Sequence, residues 1–132
     1  MNKKQLTTIF LSLCFFLAHS ETTANAKDKE NFQGEMSFLS EAYFKLEKLS
    51  KNPKQNQSPI LENIKLMEDI LKNISRVNKD KNLTKPLQTL SYKIKDLKKT
   101  SAADEPEKFQ KNLNQIYSTC FSCHFTHWGT DY

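Results

Sequence analysis

Glycine is almost missing from this chain. Only Gly34 and Gly129 occur among 132 residues, alongside four prolines. Multi-stranded β folds need frequent turn residues, so the scarcity argues against one, and the abundance of Lys, Glu, Leu and Asn points to helices. Strand–helix alternation is also missing, which removes the βαβ setting in which dithiol redox motifs are expected. No internal repeat is present, and the polar stretches are too short to be domain linkers. No apolar run reaches the roughly 20 residues that span a bilayer. The lysines are dispersed rather than massed, so the formal net charge of +5 reads as a solvated surface. That balance gives no case for nucleic acid and leans toward an acidic partner.

What is present begins with a leader. Lys3-Lys4 precedes an apolar run from Leu6 to Ala18, broken only by Thr7, Thr8 and Ser12, and Ala24-Asn25-Ala26 follows. A basic start, a short apolar core and an A-x-A site are the order of a secretory signal. The expected organisation is a signal peptide over residues 1–26 and one exported, periplasmic domain over 27–132, with no transmembrane segment after cleavage. Cys14 lies inside the apolar core and leaves with the leader, so Cys120 and Cys123 are the remaining cysteines.

Apolar spacing through the domain gives four amphipathic helices. The first is expected over Glu30–Ser50, with Phe32, Met36, Leu39, Tyr43 and Leu46 on its stripe and Ala42 and Leu49 widening it. The second is capped by Ser58 with Pro59 at its first position, and buries Ile60, Ile64, Met67, Leu71 and Ile74. The third begins near Pro86 and carries Leu87, Leu90, Ile94 and Leu97. The fourth opens with Asp104 and Glu107 as a capping-box pair and continues through Phe109, Leu113, Ile116, Cys120 and Cys123. Short links favour antiparallel neighbours, so the fold class is all-α, an antiparallel up-down-up-down four-helix bundle. Phe38 and Phe44 lie off the stripe. A homodimer would bury them, and scattered surface aromatics that mean nothing are the plainer alternative.

The chemistry is concentrated in Cys120-Phe121-Ser122-Cys123-His124. C-x-x-C-H is the attachment sequence of c-type haem. Two thiols add across the porphyrin vinyl groups as thioethers, and the adjacent imidazole becomes the proximal iron ligand. On a helix the three side chains fall at i, i+3 and i+4 and emerge from one face. Three other readings fit less well. Two buried thiols beside an unrelated histidine would have to share this spacing by coincidence. A dithiol redox pair lacks its usual setting. A zinc site from Cys120, Cys123, His124 and His127 crowds four ligands into eight residues, with no second ligand pair elsewhere. One covalently bound haem c near the C-terminal helix is the leading expectation. Both cysteines continue the core-facing seam, which places that haem inside the bundle. Beyond it the sequence offers no base, nucleophile or substrate pocket, so no enzyme is expected.

A signal peptide, four amphipathic helices and C-x-x-C-H close to the C-terminus resemble the class II c-type cytochromes, the cytochrome c-prime family with its low-spin relatives. The likeness covers the domain in architecture, while only the haem motif is specific in sequence. It implies that the first helix lies across the distal haem face. In low-spin members a methionine near the start of that helix ligates iron, and Met36 occupies such a place. In high-spin members the site is apolar and empty. The resemblance therefore implies a periplasmic electron-transfer protein with His124 and Met36 as axial ligands and redox proteins as partners. Its alternative is a five-coordinate binder of nitric oxide or carbon monoxide. Met67 reads as packing, and His127 lies on the proximal side. The chain departs from the family where basic residues are common, carrying Trp128 and Phe32 there, which leaves the propionates to Lys29, another lysine or water.

Overall fold

The computed structural model describes residues 27–128, and within them the side chains of residues 27–126. The expected leader with its cleavage point after Ala26, residues 129–132, and the side chains of His127 and Trp128 lie outside the described residues. Four helices make up the described chain: α1 over residues 27–49, α2 over Gln57–Val77, α3 over Lys81–Lys98 and α4 over Pro106–Trp128. The protein is all-α, and each helix packs on the next in an up-down bundle.

The stripes form the core. Leu39, Ala42, Tyr43 and Leu46 of α1 are buried against Ile60, Ile64, Met67, Ile70, Leu71 and Ile74 of α2. Leu83, Leu87, Leu90, Ile94 and Leu97 of α3, with Phe109, Leu113 and Ile116 of α4, complete it. Removing these side chains from water is the main force for folding, at about 25 cal/mol per Å². Polar contacts then tie helix to helix around the ring. Asn63 Nδ2 donates to the Ala42 carbonyl at 2.6 Å, joining α2 to α1. Lys98 Nζ meets Glu68 Oε2 at 2.6 Å between α3 and α2. Lys93 Nζ donates to Gln115 Oε1 at 2.9 Å between α3 and α4. The rings of Tyr43 and Tyr117 close the circle between α1 and α4, 6.0 Å apart.

Helix ends differ from the sequence reading in four places. α1 is already helical at residue 27, ahead of Glu30. Ser58 does not cap α2, because the helix already runs at Gln57. Asn56 stands at the boundary instead. Its carbonyl accepts from the Ile60 amide, while its side chain donates to the Leu49 carbonyl at the end of α1. Ser58 Oγ donates to Glu62 within the helix. The third helix starts at Lys81 rather than near Pro86, capped by Asp80, whose side chain accepts from the Asn82 amide at 2.8 Å. Pro86 sits inside it. The turn gained is retained because it buries Leu83. Before α4, Asp104 accepts from Ser101 Oγ at 2.7 Å, two residues short of the helix. Glu105 supplies the first carbonyl and Pro106 takes the first helical position, where a missing amide hydrogen costs nothing.

The topology gathers three chain segments at one end of the bundle. They are the start of α1, the turn between α2 and α3, and the last turns of α4. Among the described residues no helix is long and apolar enough to cross a membrane.

Candidate functional site

The last three turns of α4 depart from the core pattern of its first half. Phe109, Leu113 and Ile116 are sealed, whereas Cys120, Cys123 and His124 are half-buried. Tyr117, Phe121 and Phe125 are more than half exposed. Both cysteines still pack against the core cluster, as do Phe32 and Met36 of α1. Large aromatic side chains held at a surface in this way usually border something.

They border a cavity of about 430 Å³ between α1 and α4, within the range of cofactor sites. Met36, Ser40 and Tyr43 line one side of it, and Tyr117, Cys120 and His124 the other. Leu39, Met67, Leu90 and Ile116 form the apolar floor. Phe44, Phe121 and Phe125 stand at the outer edge, with the last two rings stacked 6.3 Å apart at 17°.

Register decides which side chains face each other across this space. The two helices run antiparallel, and Tyr43 meets Tyr117. Two turns from that contact toward the bundle end, about 10.5 Å at 1.5 Å per residue, bring α1 to Met36 and α4 to His124. The two side chains therefore stand level on opposite walls. Ser40 is level with Cys120 by the same count. Helical phase agrees: each residue advances 100°, so Met36 and His124 both lie on the flank of their own stripe that turns toward the other helix.

The structure thus brings Met36, Cys120 and His124 to one cavity. It does not bring Cys123 to that wall. Three residues beyond Cys120, Cys123 turns to the opposite flank of the seam, toward α3, and is absent from the cavity lining. Met67, read as packing, is buried and forms part of the floor. Tyr43, Ser40 and Phe44 join the wall without any signal in the sequence beyond the stripe position of Tyr43.

Electrostatics oppose a thiolate here. Burial pushes the Cys120 thiol up to about 11, with the neighbouring Cys123 adding to the shift. Burial also raises Cys123. Reactive dithiols have the reverse character, with a thiolate stabilised at a helix N-terminus or by cations. These cysteines occupy the last turns of α4, where the helix dipole disfavours negative charge. The Tyr43 hydroxyl rises to about 12, through burial first and then the Glu47 carboxylate. As to zinc, no group of three or more His, Cys, Asp or Glu side chains is gathered to hold a metal ion among the described residues. The side chain of His127 lies outside them.

The residues present fit a c-type haem. The neutral Cys120 thiol lines an apolar, aromatic-edged cavity, Cys123 follows on the same seam, an imidazole shares their helix, and a thioether stands level with that imidazole on the facing wall. No protein-family model, curated protein or solved structure matches this chain.

Proposed function

We propose that this protein is an exported c-type cytochrome that transfers single electrons, akin to the low-spin class II cytochromes. One haem c would be bound through Cys120 and Cys123, with His124 and Met36 as axial ligands. The observation that supports this most is the level placement of Met36 and His124 across one apolar cavity that Cys120 also lines. When bound, haem iron supplies a one-electron couple. The chain fixes and tunes it. His124 offers an imidazole nitrogen from the same turn that carries the cysteines. A thioether such as that of Met36 favours the ferrous form and raises the potential. Leu39, Met67, Leu90 and Ile116 exclude water, which disfavours the additional charge of ferric iron. Redox proteins of the periplasm are the partners this reading implies.

The open outer edge of the cavity favours a second reading. Phe44, Phe121 and Phe125 line it while remaining at least half exposed, so a small ligand has a path inward. If Met36 only packs, the protein is a five-coordinate binder of nitric oxide or carbon monoxide. An absorption spectrum of the haem-loaded protein separates the two. Low-spin bands with a methionine–iron charge-transfer feature in the far red are expected, and a high-spin spectrum would favour gas binding.

A homodimer belongs to the same proposal, on less ground than the sequence offered. The exposure of Phe44 has its explanation at the cavity edge. Phe38, 59% exposed and outside the cavity lining, still invites a partner. Sedimentation at micromolar concentration tests it, and a clean monomer would remove the dimer from the account.

A further inference from the structure

The end of the bundle that holds Met36 and His124 also carries the turn between α2 and α3, and the charge of that turn is one-sided. Lys72, Arg76, Lys79, Lys81 and Lys85 fall within fourteen residues, and all five are exposed. Asp80 is the acid among them, and its carboxylate is engaged in capping α3. None of the five cations forms an ion pair among the described residues, whose pairs involve Lys98, Lys99 and Lys108. The acids Asp28, Glu30 and Glu35 at the same end lie on α1 with Lys27 and Lys29, so the start of α1 carries a small negative excess, set apart from the corner.

Lysines are spread along the whole chain, but these five share one corner without an acid partner, and unpaired like charges on one segment repel one another. A field of one sign beside a redox centre, by contrast, raises the encounter rate with an oppositely charged partner and orients it. We propose that the α2–α3 corner, with Lys79 and Lys81 at its tip, is the docking surface for an acidic face of a redox partner protein. The corner guides that partner to the end of the bundle where the electron leaves or enters. This rests on the haem reading for its purpose, though not for its geometry.

Two probes test it on the haem-loaded protein. The first is oxidation of the ferrous protein by hexacyanoferrate(III), in which one electron passes to the anion and yields hexacyanoferrate(II). The cationic oxidant tris(phenanthroline)cobalt(III) serves as the comparison. The second probe is the redox-inert paramagnetic anion hexacyanochromate(III), which broadens amide resonances wherever it binds. The variants are Lys79→Glu/Lys81→Glu and a control at the opposite end, Lys51→Glu/Lys54→Glu. All four positions are exposed, and a glutamate at the first position of α3 suits the helix dipole, so both variants should fold.

The expected result is a fall of about tenfold at low salt in oxidation by the anion for Lys79→Glu/Lys81→Glu. The cationic oxidant should gain, and the control should change neither rate by more than about twofold. Broadening should centre on residues 72–85 and fade in the Lys79→Glu/Lys81→Glu variant. Equal effects of the two variants, or broadening centred elsewhere, would overturn the proposal. So would unchanged rates combined with loss of binding to phosphatidylglycerol vesicles, which would assign the corner to a lipid surface. Broadening needs no electron transfer, so a protein without redox activity would count against the haem reading and leave this test standing.

Discussion

The rings of Tyr43 and Tyr117 meet at 6.0 Å, and this contact sets the register of α1 on α4. Everything proposed for the iron depends on that register. Two turns from it, a thioether and an imidazole stand level across a cavity of about 430 Å³. A slip of a single turn would pair His124 with Phe32 or Ser40 instead, and no axial ligand would face it from α1.

Substitution of Met36 by Leu should turn the haem from low to high spin, lower its reduction potential and open the iron to carbon monoxide. Leucine retains most of the volume, so the change reports ligation rather than packing. Met67→Leu, on the floor of the same cavity, should leave spectrum and potential nearly unaltered. Optical spectra and redox titration of the two variants check this. The reverse pattern would move the distal ligand from α1 to α2.

Alkaline pH should weaken the haem-loaded fold through Tyr43. Its hydroxyl is raised from the ordinary 10.0 to about 12 by burial and the nearby Glu47. The native state thus holds the proton more tightly than the unfolded chain does. The resulting stabilisation is fully present below pH 10 and is lost as pH climbs toward 12. Cys120 adds nothing in this window once its sulfur is a thioether, which carries no proton. Urea midpoints between pH 9 and 12 should therefore drop in the wild type and drop less in Tyr43→Phe.

Without haem the bundle should not hold its packing. An empty space of this size costs up to about 10 kcal/mol at 24 cal/mol per Å³, although water entering the open edge reduces the figure. That sum is comparable to the whole stability of a small domain, about 5–15 kcal/mol. The Cys120→Ser, Cys123→Ser variant is accordingly expected to be molten, with helical circular dichroism retained and cooperative melting lost. Cooperative melting near the wild-type temperature would show the haem to be peripheral to the fold.

The four helices and most of the core were legible because burial follows the 3.6-residue period directly, from Leu39 in α1 to Ile116 in α4. Helix starts were less so. Pro86 suggested a first turn, yet burial of Leu83 and capping by Asp80 outweighed its missing hydrogen bond and carried α3 back to Lys81. Asn63 occupies a stripe position as a polar residue, and its tie to the Ala42 carbonyl depends on how α2 meets α1. At the site, Cys120, Cys123 and His124 announce their chemistry by local spacing alone. The cavity wall does not, because Ser40 and Phe44 acquire a role only when α1 is set against α4 in a particular register. The turning of Cys123 toward α3 likewise follows from helical phase measured against neighbours that the sequence does not display.

Covalent attachment of haem through Cys120 and Cys123 can be read from the mass of the denatured protein. Protein produced with export and haem-attachment machinery should weigh the chain from Lys27 plus one haem, and should keep its colour after extraction with acidified acetone. A mass equal to the polypeptide alone, with the colour passing into the solvent or stoichiometric zinc in its place, would contradict the account.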